Sequence, residues 1–193
     1  MTAFSASEPR VRPLSHLLRG MVSLDPDLAS IAVSNLTLDS RKVESGSLFI
    51  AMRGNKADGR DFVNHAVNSG AAAVLVENDI NGIDHFDGMC LAIPDLRSKV
   101  GVIADRFFDN PSSRLFVIGV TGTNGKTSCA FLLTQALNAL GKKSGFIGTT
   151  GWGFDGNLQK SELTTPDAVT LQSQLSQLVT AGAEGVCLEV SSH

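Results

Sequence analysis

A glycine-rich loop between a predicted strand and a predicted helix constrains the fold of this 193-residue chain more than any other feature. Residues 115–120 form a continuous apolar run, which predicts a strand buried on both faces of a parallel sheet. Residues 119–128 read Gly-Val-Thr-Gly-Thr-Asn-Gly-Lys-Thr-Ser, and a helical pattern starts at Lys126. Strand, loop and helix in this order predict an α/β fold with a mostly parallel sheet.

The loop carries the groups that bind a phosphate. Glycines let main-chain amides approach phosphate oxygens, the helix N-terminus adds partial positive charge, and Lys126 can reach the β- and γ-phosphates. The hydroxyl of Thr127 is placed for Mg²⁺. The strict pattern Gly-x4-Gly-Lys-Ser/Thr is not met, because Val120 stands where its first glycine belongs and Gly122 takes that role. We therefore predict a shorter loop that binds a nucleoside triphosphate, rather than a structural turn with an exposed lysine.

Further predicted helices and strands follow the loop. Strands are predicted at 146–149 and 186–190, a turn or hairpin at 151–157, and a helix capped by Asp167. The helix from Lys126 should end at Gly141 and bury one apolar stripe, which consists of Phe131, Leu132, Ala136, Leu137 and Leu140. The chain stops three residues past its last predicted strand, so we expect an incomplete α/β domain.

A separate unit of short elements precedes the loop. We predict strands at 36–38, 48–52, 73–76 and 90–93, a short helix at 14–18, and amphipathic helices within 62–70 and 100–107. The polar segment 109–113 contains a proline and is the predicted linker. The chain is therefore predicted to consist of domains 1–110 and 111–193.

Composition and charge exclude several classes of protein. The 16 Lys and Arg are scattered among 19 Asp and Glu, so there is no basic stripe for nucleic acid. Cys90, Cys129 and Cys187 lack Cys-x-x-Cys spacing and are expected to be small core residues. Charges interrupt every apolar run in the first thirty residues. We expect a cytoplasmic monomer without nucleic-acid or membrane partners.

Two polar groups near the end of the chain are candidates for cation binding. Glu189 interrupts an otherwise apolar strand, and its burial costs free energy unless it meets a cation such as Mg²⁺. His193 is placed to help hold a second ion. The alternatives are a glutamate in a salt bridge and a surface histidine.

The segment 164–167, Thr-Thr-Pro-Asp, lies immediately before a predicted helix. Its hydroxyls and the free amides of the helix could bind an anionic group of a substrate. Ordinary capping of the helix by Asp167 explains the same residues equally well.

Six separated motifs together resemble those of the Mur ligase family. They lie at residues 37–43, 46–51, 54–60, 122–127, 164–167 and 189–193. The likeness covers nearly the whole chain from about residue 30 and is strongest to members that add the third amino acid of the peptidoglycan stem peptide. It implies a small N-terminal α/β domain that binds a uridine nucleotide, followed by the first part of a P-loop central domain.

The resemblance also implies roles for individual residues. ATP would be bound by Gly122, Thr123, Asn124, Gly125, Lys126, Thr127 and Ser128. The uridine nucleotide would contact Leu38, Ser40, Asn55, Lys56 and Ala57, and the muramoyl-peptide would contact Thr164, Thr165 and Ser191. The catalytic residues would be Lys126, Glu189 and His193, and Mg²⁺ would be held by Thr127, Glu189 and His193. Ser40 and Arg41 also fit a capped turn after a strand, and Asn55-Lys56 departs from the His-Gln pair of many members.

The implied reaction is ATP-dependent ligation. A UDP-N-acetylmuramoyl-L-alanyl-D-glutamate carboxylate would be phosphorylated to an acyl phosphate, which the amine of free diaminopimelate or lysine would attack. Family members also use a carbamylated lysine and a C-terminal domain that binds the amino acid. Neither lies in this chain, so we expect it to be inactive alone. A P-loop kinase or switch NTPase and a non-catalytic nucleotide-binding fragment are the alternatives.

Overall fold

The chain divides into two compact units between Phe107 and Phe108. A computed structural model describes residues 10–54, 57–77, 90–161 and 164–191. The first unit contains, in chain order, β1 (Arg12–Pro13), α1 (Leu14–Leu17), α2 (Pro26–Ala29), β2 (Ala32–Val33), β3 (Asn35–Thr37), a 3-10 helix (Ser40–Lys42), β4 (Ser47–Ala51), a 3-10 helix (Gly59–Phe62), α3 (Val63–Asn68), β5 (Ala73–Glu77), β6 (Cys90–Ile93) and α4 (Leu96–Phe107). The second contains a 3-10 helix (Pro111–Arg114), β7 (Phe116–Val120), α5 (Lys126–Ala139), β8 (Ser144–Gly148), β9 (Gly151–Phe154), β10 (Asn157–Gln159), α6 (Ala168–Thr180) and β11 (Gly185–Glu189).

The first unit is built on a four-stranded parallel sheet in the order β3-β4-β5-β6. One face packs against α3 through a buried cluster that includes Phe49 and Val74 of the sheet and Val63 and Ala66 of the helix. Leu48, Ile50 and Leu75 alternate to the other face and are also buried, and α4 contacts β5. Burial on both faces accounts for the apolar runs in these strands.

The second unit has a five-stranded sheet in the order β10-β9-β8-β11-β7. Strands β7, β11 and β8 are parallel, whereas β8, β9 and β10 form an antiparallel meander. Helix α5 contacts β7, β8 and β11, and α6 buries Leu175 and Leu178 against Ile147 and Val186 of the sheet. The predicted α/β class with parallel strands is confirmed.

The prediction that residues 115–120 form a strand buried on both faces is wrong. Strand β7 lies at the edge of the described sheet beside β11, and Phe116 and Val117 are 39% and 44% exposed. The central parallel strand is β11, in which every residue is buried. An apolar run indicates that a strand can be buried but does not determine its place in the sheet.

The predicted apolar stripe of α5 is also partly wrong. Ala130 and Thr134 are fully buried, and Phe131 and Leu137 pack partly buried beside them. Leu132, Ala136 and Leu140 are instead exposed. Cys129 is exposed as well, so the prediction that it is a core residue is wrong, whereas Cys187 is buried. Because this helix carries apolar side chains on several sides, periodicity alone does not decide which side meets the sheet. Small residues do so here, since they let the helix approach the strands closely.

Predictions for the ends of the helices are confirmed. Asp167 caps α6, since its Oδ1 accepts hydrogen bonds from the amides of Val169 at 2.9 Å and Thr170 at 3.0 Å. Gly141 follows α5 with a φ of +80°, a conformation that favours glycine. Of the helices in the described ranges, none combines the length and hydropathy that a membrane span requires.

The corrected core of the second unit can be tested with two leucine truncations. Leu178 is fully buried and Leu132 is 63% exposed. We expect Leu178→Ala to lower the free energy of unfolding by about 2–5 kcal/mol, because it leaves a cavity. Leu132→Ala should change it by less than about 0.5 kcal/mol. Chemical denaturation measures both, and equal losses would contradict the assignment of the buried face.

Candidate active site

A five-residue loop joins β7 to α5 and is exposed along residues 121–125. Gly122 and Gly125 have φ values of +147° and +76°, which residues with side chains rarely adopt. Gly125 is the N-cap of α5, and none of the described side chains caps the first turn. The amides of this turn are therefore available to an anion, which the helix N-terminus also attracts.

Lys126 lies over the loop that precedes it. Its Nζ donates a hydrogen bond to the carbonyl oxygen of Gly122 at 2.7 Å. Its ammonium group is therefore held at the glycine-rich turn. The predicted phosphate-binding residues Gly122 to Ser128 span this loop and the first turn of α5.

Glu189 is the last residue of the central strand and is only 1% exposed. It pairs in register with Val120, the residue where β7 ends and the loop begins. Its Oε2 accepts a hydrogen bond at 3.0 Å from the hydroxyl of Thr127, which follows Lys126 in the first turn of α5. Because β7 and β11 are parallel, their carboxyl ends lie at the same edge of the sheet. The Glu189 carboxylate therefore lies beside the loop.

Thr149 supplies the other hydrogen bonds of this carboxylate. Its amide donates to Glu189 Oε1 at 2.8 Å, and its hydroxyl lies 3.2 Å from Oε2. Within the described ranges, no Lys, Arg or His forms a salt bridge with Glu189, so the salt-bridge alternative is not supported. The donors that the described residues offer to this nearly inaccessible carboxylate are all neutral, which is an environment that favours an added cation.

The donor set at this edge fits a magnesium ion that also takes phosphate and water ligands. Mg²⁺ in nucleotide sites is typically held by one or two protein oxygens, with the remaining positions filled by phosphates and water. Glu189 and Thr127 offer a carboxylate and a hydroxyl that already lie in contact. No cluster of three or more His, Cys, Asp or Glu side chains suited to a metal occurs in the described part of the chain. His193 lies outside the described residues.

Gly148, the last residue of β8, makes room for Glu189. A Cβ atom at this position would lie 2.1 Å from Oε1 of Glu189 and 2.6 Å from Cζ of Phe146. Neither Gly148 nor Thr149 was identified from the sequence as a site residue. The available signal was their position at the end of a predicted strand, because residues there lie at the carboxyl edge of the sheet.

Three predicted substrate-binding residues also lie around Glu189. The hydroxyl of Thr165 donates to the carbonyl oxygen of Glu189 at 3.1 Å and accepts from the amide of Ser191 at 2.9 Å. The hydroxyl of Thr164 lies 3.1 Å from that of Thr149. The side chain of Asp167 caps α6. The hydroxyls of the two threonines instead contact Thr149 and Glu189 at the edge of the sheet.

Two family models match most of the chain. The model described as "Mur ligase family, catalytic domain" matches residues 32–104, and the model described as "Mur ligase middle domain" matches residues 120–193. This chain belongs to the Mur ligase family.

Curated relatives carry the name UDP-N-acetylmuramoyl-L-alanyl-D-glutamate--2,6-diaminopimelate ligase. The one from Pseudomonas putida is 46% identical over 182 residues, which are 94% of this chain and 36% of the relative. The one from Coxiella burnetii is 43% identical over 166 residues, which are 86% of this chain and 34% of the relative. The chain therefore spans about a third of the length of these curated Mur ligases.

Solved structures of Mur ligases share the fold. One titled as the structure of UDP-N-acetylmuramoyl-L-alanyl-D-glutamate--2,6-diaminopimelate ligase matches with a TM-score of 0.78 at 29% identity, over 95% of this chain and 36% of that chain. MurF from Acinetobacter baumannii matches with a TM-score of 0.63 at 20% identity, over 96% and 36%. The second likeness concerns the fold alone.

The first unit of this Mur ligase chain places the other candidate residues at the ends of β3 and β4. Leu38 and Ser40 follow β3. Ala57 lies in the segment after β4, where its carbonyl oxygen accepts a hydrogen bond from Gly54 N at 2.8 Å. Because β3 and β4 are parallel neighbours, both groups lie at the same edge of the sheet. Asn55 and Lys56 lie outside the described residues.

Asp39 and Arg41 form a capped turn beside Ser40. Oδ1 of Asp39 accepts from Arg41 N at 3.0 Å and Nε at 2.9 Å, and Oδ2 accepts from Nη2 at 2.7 Å. The side-chain hydrogen bond from Arg41 is the largest cause that lowers the pKa of Asp39 from its ordinary value of 3.8 to about 2. Asp58 has the same arrangement with Arg60, which also lowers its pKa. These contacts favour the structural explanation of Arg41.

A substitution at Gly148 tests whether space beside Glu189 is limiting. We expect Gly148→Ala to lower the free energy of unfolding by about 1–3 kcal/mol, because the new methyl group overlaps the carboxylate and an aromatic ring. Gly101→Ala is the control, since nothing lies within 4 Å of a Cβ there and alanine favours the helix by about 0.5–1 kcal/mol. If Gly148→Ala leaves the free energy of unfolding unchanged in chemical denaturation, the Glu189 carboxylate does not pack closely against Gly148.

The Asp39 turn predicts a defined response to acid. Since the folded pKa of Asp39 is lowered to about 2, its ionised form stabilises the fold above pH 3.8, and this contribution is lost as the pH falls towards 2. Arg41→Ala should raise the pKa of Asp39 towards 3.8. Lys42→Ala removes the smallest contribution and should shift it less. Carboxyl titration by NMR measures both, and a pKa that stays near 2 in Arg41→Ala would overturn the assignment.

Proposed function

We propose that this chain forms the nucleotide-binding and UDP-substrate-binding part of an ATP-dependent ligase that joins diaminopimelate to UDP-N-acetylmuramoyl-L-alanyl-D-glutamate. Family membership and the names of the curated relatives support the reaction and the amino acid. The observation that carries the proposal is the meeting of the glycine-rich loop, Lys126, Thr127 and the buried Glu189 at the carboxyl edge of three parallel strands.

In this proposal the loop binds the triphosphate of ATP. Amides of the first turn of α5 and of the residues 122–125 donate to phosphate oxygens, and the ammonium group of Lys126 leaves the Gly122 carbonyl to contact the β- and γ-phosphates. Glu189 and Thr127 would hold Mg²⁺. When bound, this ion would offset negative charge on the phosphates during transfer.

The chemistry requires orientation and charge stabilisation rather than a protein nucleophile. A carboxylate oxygen of the substrate attacks the γ-phosphorus, the bond from that phosphorus to the bridging oxygen breaks, and ADP leaves. The amine of the amino acid then attacks the carbonyl carbon of the acyl phosphate, loses a proton and releases inorganic phosphate. Lys126 stabilises the charge that develops on the transferred group.

The remaining predicted residues belong to the acceptor substrate in this proposal. Leu38, Ser40 and residues 55–57 would contact the uridine nucleotide, and Thr164, Thr165 and Ser191 would contact the muramoyl-peptide. Hydrogen bonds connect these last three residues to the surroundings of Glu189: Thr164 contacts Thr149, Thr165 contacts Glu189, and Ser191 contacts Thr165. Their position supports a role near the transferred phosphoryl group. His193 would help hold a second ion.

Equilibrium binding of a fluorescent ATP analogue in the presence of MgCl₂ tests the nucleotide site. Lys126→Ala should weaken binding roughly tenfold or more, because a charge-assisted contact to phosphate contributes about 1.5–3 kcal/mol. Lys142→Ala is the matched control, since Lys142 is exposed and pairs with Glu184 before β8 begins. If Lys126→Ala binds the analogue as tightly as the unmodified chain, the proposed ATP-binding role of Lys126 is wrong.

A further inference from the structure

Thr149 contacts two site residues that lie far apart in the sequence, Glu189 and Thr164. Its hydroxyl lies 3.2 Å from Oε2 of Glu189 and 3.1 Å from the hydroxyl of Thr164. In the described chain, these contacts join the proposed cation-binding carboxylate to a residue proposed to bind the acceptor substrate. Thr127, in the first turn of α5, reaches the same Oε2.

Counting hydrogens sets the direction of this chain of hydroxyls. A carboxylate only accepts, and each hydroxyl has one hydrogen to donate. The hydroxyl of Thr149 therefore donates to Glu189, and the hydroxyl of Thr164 donates to Thr149. Oε2 then receives two hydroxyl hydrogens, from Thr127 and Thr149, whereas Oε1 is held by the main-chain amide of Thr149 at 2.8 Å.

The two carboxylate oxygens are thus fixed in different ways. The bond to Oε1 uses the backbone and survives a change of side chain at position 149. The bond to Oε2 depends on the hydroxyl of Thr149. Oε1 also packs directly against the backbone of Gly148, in the space that a Cβ atom there would occupy. Loss of the hydroxyl should therefore release Oε2 while the rest of the side chain stays confined.

We propose that Thr149 is a positioning residue that orients Glu189 towards the cation and connects it to Thr164. The proposal rests on the proposed function, since it concerns the cation that accompanies the nucleotide. A positioned carboxylate binds a cation more tightly than one that must first be ordered, because it loses less conformational freedom on binding. Thr149 itself contributes no ligand to the nucleotide in this account.

Three variants isolate the hydroxyl. Thr149→Val keeps the shape and the backbone amide but removes the hydroxyl. Thr149→Ser keeps the hydroxyl. Thr150→Val is the matched control, because Thr150 is an exposed neighbour for which the described structure shows no hydrogen bond to Glu189. All three are made in the 193-residue chain.

The experiment measures how strongly a fluorescent ATP analogue binds in EDTA and at rising MgCl₂ concentrations. In Thr149→Val, we expect the MgCl₂ concentration for half-maximal enhancement of binding to rise roughly tenfold, as for loss of one hydrogen bond to a charged group. Binding in EDTA should stay within about twofold, because Lys126 and the loop amides are untouched. Thr149→Ser and Thr150→Val should match the unmodified chain.

The outcomes separate the two proposals. If the unmodified chain shows no magnesium-dependent binding of the analogue, the proposed function fails and the positioning role fails with it. If the unmodified chain shows such binding and Thr149→Val gives the same magnesium dependence, only the positioning role is overturned. Equal weakening by Thr149→Ser would also overturn it, since the hydroxyl would then not be the group that matters.

Discussion

The burial of Glu189 at the end of the central strand is the constraint on which the rest of the site depends. A carboxylate that is 1% exposed loses most of its hydration, so every oxygen needs a donor or a cation. The donors come from two segments, the first turn of α5 and the residue after β8, and the carboxylate itself is carried by β11. A parallel arrangement of β7, β11 and β8 brings these segments to one edge.

The same constraint explains features that look unrelated in the sequence. Gly148 has no side chain because the Glu189 carboxylate occupies the space a Cβ would need. Thr165 bridges the carbonyl of Glu189 and the amide of Ser191, which fixes the backbone where the chain leaves the strand. The short loop keeps Thr127 close enough to reach the carboxylate. A change in any of these positions therefore alters how Glu189 is held.

Local sequence signals predicted the elements whose causes are local. The glycine-rich loop, the Asp167 cap, the Gly141 end of α5 and the hairpin near 151–157 each depend on neighbouring residues, and all are present. The edge position of β7 and the buried side of α5 depend on partners distant in sequence, so apolar patterns did not determine them. Thr149 was missed for the same reason, since its importance arises from contact with a residue forty positions away.

Comparison of the carboxylates in the two units distinguishes a structural turn from a site that can bind. Asp39 and Asp58 each carry an arginine two residues ahead, and these ion pairs compensate the charge within a single turn. Glu189 receives only neutral donors from the described chain, so its charge is hydrogen-bonded but not neutralised. Neutral donors orient a carboxylate without competing for its charge. A cation that arrives with a triphosphate is therefore attracted by the full charge of the carboxylate. An arginine paired with the carboxylate would first have to be displaced.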